Sequence, residues 1–111
     1  MEEKMFKHKI VLFGDARGIQ QLLRHLDVSL IVAIVGASIR SQYLKELQEI
    51  SSKTKVPLYI QPQYKTHEYV NFVALLENLS PSLLLCNSYS MIIREDLLGV
   101  FACNCINIHG S

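Results

Sequence analysis

The sequence lacks three features that would each point to a class of protein: an excess of charge of one sign, paired cysteines and a long apolar run. There are 11 Lys and Arg against 10 Asp and Glu, and the formal net charge is +1. This balance indicates neither a nucleic acid nor an anionic membrane as partner, and it leaves a small anion open. The first apolar run, Ile10 to Phe13, is too short for a signal peptide or a membrane span. We therefore expect a cytoplasmic protein.

Cysteine and histidine usage excludes two further classes. The three cysteines, Cys86, Cys103 and Cys105, are odd in number and form no C-x-x-C pair, and the four histidines are scattered. A disulfide framework and a zinc site are therefore not indicated. We expect free thiols and no bound metal.

What the sequence does contain is an alternation of short apolar runs with segments of helical period, typical of βαβ units that build a parallel sheet. With 111 residues, half of them hydrophobic, the chain is predicted to form one domain. Strands are predicted at residues 9–14, 30–36, 57–60, 82–86 and 105–109. Three helices are predicted from apolar stripes at helical spacing. The stripes are Ile19, Leu22, Leu23 and Leu26 in the first; Tyr43, Leu44, Leu47 and Ile50 in the second; and Tyr69, Phe72, Val73, Leu75, Leu76 and Leu79 in the third. Ser41 is predicted to be the N-cap of the second helix, and a short fourth helix is predicted at residues 94–98.

This pattern predicts an α/β fold, a Rossmann-like parallel sheet with helices on both faces and the strand order 3-2-1-4-5. Ligands of such sheets bind at the carboxyl ends of the strands. Three segments are predicted to meet there: residues 14–18 after strand 1, residues 87–92 after strand 4, and residues 107–111 at the end of strand 5.

The first two glycine-containing turns are ambiguous. Residues 14–18, Gly-Asp-Ala-Arg-Gly, either bind an anion at a helix N-terminus or simply form a tight turn that Asp15 caps, and the sequence does not separate these readings. After strand 2, residues 36–40 end in Arg40, where a dinucleotide fold would read a ribose phosphate. An NADP-type nucleotide binder is therefore an alternative, although a solvated Arg40 is the simpler interpretation.

The other two segments carry more chemistry. The loop Ser88, Tyr89, Ser90, Met91, Ile92 and Ile93 would suit a flat heterocycle, or it could merely cover the sheet. Asn107 and His109 are two residues apart in a strand and so share a face. An amide donor beside an imidazolium could stabilise an oxyanion in acyl-type transfer.

Taken together, these segments resemble the N-terminal half of the formyltransferase family that uses 10-formyltetrahydrofolate. That family includes methionyl-tRNA formyltransferase, glycinamide ribonucleotide transformylase and the sugar N-formyltransferases. The resemblance covers residues 9–111, and its most specific element is Cys-Ile-Asn-Ile-His-Gly-Ser at residues 105–111. It is also carried by the opening strand ending in Gly14, by Val56-Pro57-Leu58 with Gln61-Pro62, by Leu79-Ser80-Pro81-Ser82-Leu83, and by Ser88-Tyr89-Ser90-Met91-Ile92.

The resemblance implies a role for each segment. Asn107 would donate a hydrogen bond to the oxyanion, and His109 would stabilise that charge and assist proton movement. Residues 88–93 would hold the pterin ring of the formyl donor, 10-formyltetrahydrofolate. Ala16, Arg17 and Gly18 would face the amine acceptor, with an amino sugar nucleotide slightly preferred over methionyl-tRNA; a nucleic acid is implied only if the acceptor is tRNA.

One departure limits the expected activity. The family's catalytic aspartate lies well beyond the Asn-x-His segment, and Asp15, Asp27 and Asp96 do not match it. We therefore expect a formyltransferase N-terminal-like domain, incomplete at its C-terminal end and inactive alone. A non-catalytic, truncated α/β module is the alternative. An unpaired strand 5 carrying Ile106 and Ile108 would favour self-association.

Overall fold

The computed structural model describes residues 8–38 and 44–108. Several predictions concern residues outside these ranges, namely the roles assigned to Arg40, Ser41, Tyr43 and His109. The strands run Ile10–Gly14 (β1), Ile31–Ala37 (β2), Leu58–Gln61 (β3), Leu83–Asn87 (β4) and Cys105–Ile108 (β5). The helices run Ala16–Leu23 (α1), Leu44–Thr54 (α2), His67–Asn78 (α3) and Glu95–Val100 (α4), and a 3-10 helix covers Val28–Leu30.

The five strands form one parallel sheet in the order β3-β2-β1-β4-β5, which confirms the predicted topology. The central strand β1 is buried along its whole length, as expected for a strand that helices cover on both faces. Because every strand points the same way, the segments that follow β1, β2, β3 and β4 all leave the sheet at the same end, the carboxyl end of the strands.

Alternation along the strands divides the core into two layers. Ile10 and Leu12 pack against α1 and α2, whereas Val11 and Phe13 pack against α3 and α4. Phe13 and Phe101 are among the largest side chains that are almost completely buried in the described ranges. Within residues 8–38 and 44–108, no helix is long and apolar enough to cross a membrane.

Several element boundaries differ from the predictions by one or two residues. The strands β2, β3 and β4 each begin and end one residue later than predicted, so Gln61 and Asn87 belong to strands; β1 begins one residue later, and α4 covers 95–100 rather than 94–98. Leu75, predicted in the buried stripe of α3, is 48% exposed, whereas the buried residues of that helix are Tyr69, Phe72 and Leu76. The stripe through Leu26 also overestimates α1, which ends at Leu23.

The strand β5 forms one edge of the sheet. Ile106 and Ile108 are 51% and 40% exposed, and they lie on a strand with only β4 beside it in the described sheet. An exposed apolar edge of this kind favours pairing with another chain, so self-association stays a prediction.

Candidate functional site

A cavity of about 440 Å³ lies between β4, β5, the segment that follows β4, and α4. The strands and α4 contribute Leu84, Cys86, Leu98, Cys105, Ile106, Asn107 and Ile108 to its wall. The segment after β4 contributes Ser88, Tyr89, Met91 and Ile93. We call this space the β4–β5 cavity, and we call residues 88–93 the 88–93 loop.

Two of the segments predicted from the sequence therefore meet in one place. Asn107 is exposed on β5, lies opposite Cys86 in the parallel register and lines the cavity with four residues of the 88–93 loop. His109, the other half of the predicted pair, lies outside the described residues. Ser90 and Ile92 turn away from this cavity and line a smaller one of about 230 Å³ with Gln61, Tyr64 and Arg94.

The wall of the β4–β5 cavity is electrically neutral. Burial, with a smaller contribution from the nearby Cys105, raises the pKa of the Cys86 thiol to about 11. Burial also raises the pKa of Cys105 and, to a greater extent, that of Tyr89. None of the described lining residues carries a charge at neutral pH, so the cavity suits a neutral, flat molecule better than a phosphate.

The 88–93 loop folds back over the carboxyl ends of the other strands. It starts at Ser88, whose φ of 56° is in the left-handed region, and the backbone N–H of Asp15 donates to the Ser88 carbonyl at 3.0 Å. The Tyr89 ring packs edge-on against Phe13 of β1, with centroids 5.3 Å apart. The Ser38 hydroxyl donates to the Met91 sulfur at 3.6 Å. The loop is thus attached to β1 and β2 as well as to β4.

Two buried polar side chains, each only 2% exposed, lie beside the loop: Asn87 connects the end of β4 to α1, and Gln61 contacts the loop itself. Asn87 donates through Nδ2 to the Gly18 carbonyl and to the Gln21 Oε1, each at 3.1 Å. Gln61 accepts from the Tyr89 hydroxyl at 2.6 Å and donates to the Ile92 carbonyl at 3.2 Å. Gln61 did not emerge as a site residue from the sequence, because Gln-Pro at the end of a short strand is typical of an ordinary polar loop.

The third predicted segment, Ala16, Arg17 and Gly18, forms the first turn of α1 and does not line the β4–β5 cavity. Ala16 and Gly18 are buried, and only Arg17 is exposed. Asp15 is the N-cap of the helix, and its carboxylate accepts from the Gly18 amide at 2.7 Å. This helix end therefore already has an anionic partner, which satisfies the amide and repels a second anion.

No group of three or more His, Cys, Asp or Glu side chains in the described ranges is arranged to hold a metal ion. The predicted thiols are all free: Cys86 is buried, Cys105 is half-buried and Cys103 is exposed.

Known proteins similar to this chain were found by sequence and by structure. No family model matches the chain. A methionyl-tRNA formyltransferase from Blochmanniella pennsylvanica (strain BPEN) is 26% identical over 92 residues, which are 80% of this chain and 28% of that protein.

Two solved structures share the fold. The phosphoribosylglycinamide formyltransferase from Streptococcus pneumoniae TIGR4 has a TM-score of 0.67 at 18% identity and matches 90% of this chain and 55% of its own. The enzyme of the same name from Brucella melitensis has a TM-score of 0.66 at 13% identity, over 92% of this chain and 56% of its own. The chain thus spans under a third of the curated relative and just over half of the solved ones. In sequence and in fold, this chain is therefore similar to part of a formyltransferase.

Proposed function

We propose that this chain is a formyltransferase-type domain that binds 10-formyltetrahydrofolate in the β4–β5 cavity and serves transfer of its formyl group to an amine. The observation that carries the proposal is the position of Asn107, an exposed amide at the rim of a neutral cavity walled by the 88–93 loop. The relationship to formyltransferases supports the same chemistry.

The described residues fit the donor. A pterin is a flat, uncharged heterocycle whose edge carries hydrogen-bonding groups, and the loop offers apolar side chains together with backbone N–H and C=O groups. Tyr89 and Met91 provide an aromatic ring and a polarisable thioether for packing against such a ring system. When bound, the donor supplies the formyl group.

The role proposed for Asn107 is to donate a hydrogen bond from its carboxamide to the formyl oxygen as negative charge develops there. A donor of this kind contributes about 10²- to 10³-fold to the rate. His109 is proposed to act beside it as an imidazolium that stabilises the same charge and assists proton movement. No aspartate of this sequence matches the family's catalytic acid, so we propose that the acid comes from outside these 111 residues.

The acceptor is the finer part of the proposal. The resemblance assigns Ala16, Arg17 and Gly18 to the acceptor side, and of these only Arg17 has an exposed side chain. Because the Asp15 carboxylate occupies the start of α1, that turn is poorly suited to a free phosphate. We propose an amino sugar nucleotide as acceptor, with methionyl-tRNA as the second candidate.

Binding tests the proposal without requiring turnover. The chain is titrated with 5-formyltetrahydrofolate and, separately, with NADPH, while its melting temperature is followed. Folate at 100 times its dissociation constant should stabilise the fold by about 2.7 kcal/mol. Asn107→Trp, which places a large ring at the rim of the cavity, should abolish that gain. Val70→Trp, at an exposed position on α3, should not.

Stabilisation by NADPH alone would favour the nucleotide-binding alternative. No stabilisation by millimolar folate would contradict the proposal. A formyl-transfer assay with an amino sugar nucleotide and with methionyl-tRNA, with and without Asn107→Ala, addresses the acceptor. Turnover by the 111-residue chain itself would refute both the external acid and a non-catalytic module.

A further inference from the structure

We propose that Gln61 is a positioning residue for ligand binding in the β4–β5 cavity, although it does not line that cavity itself. The identity of the ligand rests on the function proposed above, whereas the role of Gln61 in positioning the 88–93 loop does not. Gln61 ends β3, at the opposite edge of the sheet from β5. It nevertheless contacts the 88–93 loop, because that loop crosses the carboxyl ends of the strands.

A single carboxamide fixes two parts of the loop. Its oxygen accepts from the Tyr89 hydroxyl at 2.6 Å, and its nitrogen donates to the Ile92 carbonyl at 3.2 Å. The first bond sets the position of a ring that lines the β4–β5 cavity, and the second sets the backbone between Met91 and Ile93, which line it as well. The two bonds together determine the shape of the loop wall of the cavity.

Because Gln61 is buried, its carboxamide needs hydrogen-bond partners within the protein. Gln61 is 2% exposed, so a carboxamide that lost its partners would stay buried and unsatisfied. The Tyr89 phenol is a donor throughout the neutral range, as for any tyrosine, and burial raises its pKa further. Only a group that accepts at one end and donates at the other satisfies both partners, and glutamine does so without a charge.

Neighbouring contacts cannot replace this connection. The Phe13 ring limits the tilt of Tyr89 through an edge-on contact, but it does not reach the backbone of Ile92. The bond from Ser38 to the Met91 sulfur is long, at 3.6 Å, and sulfur is a weak acceptor. Gln61 therefore supplies the directional contacts at this end of the loop.

The test compares Gln61→Met, which keeps length and volume without hydrogen bonds, with Gln63→Met at an exposed position two residues later. In ligand-free protein, amide hydrogen exchange at residues 89–93, measured relative to β1, should accelerate about tenfold or more in Gln61→Met but stay unchanged in Gln63→Met. Affinity for 5-formyltetrahydrofolate should fall by a similar factor. Tyr89→Phe removes only the bond from the Tyr89 hydroxyl and should change loop exchange and folate affinity less than Gln61→Met does. It also serves as the test variant if Gln61→Met fails to fold.

A destabilised control separates positioning from simple loss of stability. Leu47→Ala acts in the core layer on the α1 and α2 side, so it should lower the melting temperature while leaving folate affinity and relative loop exchange unchanged. Unchanged loop exchange in Gln61→Met, or in Tyr89→Phe where only that variant folds, would overturn the inference. If the native chain binds no folate, but Gln61→Met still accelerates exchange in the loop, the proposed ligand is refuted. Gln61 then remains the residue that positions the loop.

Discussion

The substitution Gly18→Ala should destabilise the protein although alanine is the better helix former. Gly18 lies in the first turn of α1, where the helix passes directly over the end of β4. A Cβ atom added there would lie 2.2 Å from the backbone oxygen of Asn87 and 2.9 Å from its carbonyl carbon. These neighbours are backbone atoms that also belong to the sheet, so they cannot rotate away as a flexible side chain would.

The magnitude follows from two opposing terms. To reach ordinary contact, the helix and the strand end must separate by about 1 Å, and such overpacking costs roughly 1 to 3 kcal/mol. Alanine offsets up to about 1 kcal/mol of this through its helix propensity. Because backbone must move, we take the upper part of the range and expect a net loss of about 2 kcal/mol. For a domain of this size, that corresponds to a fall in melting temperature of about 8 °C.

The assay is urea unfolding of the native chain and the variant by circular dichroism, analysed by linear extrapolation. Gly99→Ala is the matched control, because a Cβ at Gly99 meets nothing within 4 Å and its φ is not positive. That control should gain about 0.5 to 1 kcal/mol. If Gly18→Ala were as stable as the native chain, or if both variants shifted in the same direction, the close approach of α1 to β4 would be refuted.

Three further predictions concern the helix cap, the thiols and the sheet edge. Asp15→Ala should lower the free energy of unfolding by about 1 kcal/mol because the N-cap of α1 is lost, and an unchanged urea midpoint would speak against that cap. Mass spectrometry after brief treatment with a thiol reagent at pH 7 should find the exposed Cys103 labelled first. Cys86, whose pKa burial raises to about 11, should react slowly and accelerate as the pH approaches that value; early labelling of Cys86 would contradict its burial. Light scattering should detect self-association that Ile106→Lys together with Ile108→Lys reduces, and a monomeric native chain would disprove the role of this edge.

Much of the fold follows from patterns that the sequence displays directly. Short continuous apolar runs such as residues 10–13, each followed by a helical stripe, are typical of strands covered on both faces and joined by right-handed crossovers. The order 3-2-1-4-5 was predicted because it is common for such an alternation, and it is confirmed. The pattern is weaker where an element ends in a polar residue, so Gln61 and Asn87 were placed outside strands that include them.

The location of the candidate site was likewise predicted from the sequence, but the exact set of residues that line it was not. The sequence predicted that Asn107 and residues 88–93 lie at the same end of the sheet, because alternation and strand direction are local properties, and the structure places them around one cavity there. Which loop residues line the β4–β5 cavity was not accessible from the pattern: Ser88, Tyr89, Met91 and Ile93 do, whereas Ser90 and Ile92 do not. That selection depends on how the loop folds over β1 and β3.

The sequence by itself thus predicted the α/β class, the parallel strand order and the end of the sheet at which a ligand site is expected, since these depend on periodicity and chain direction. Only the tertiary structure determined that Gly18 must lack a side chain and that Gln61 holds the 88–93 loop. The physical reason is separation along the chain: the contact from Gln61 to Tyr89 spans 28 positions, and that from Asn87 to Gly18 spans 69. Contacts between buried polar groups this far apart leave no periodic signal in the residues between them.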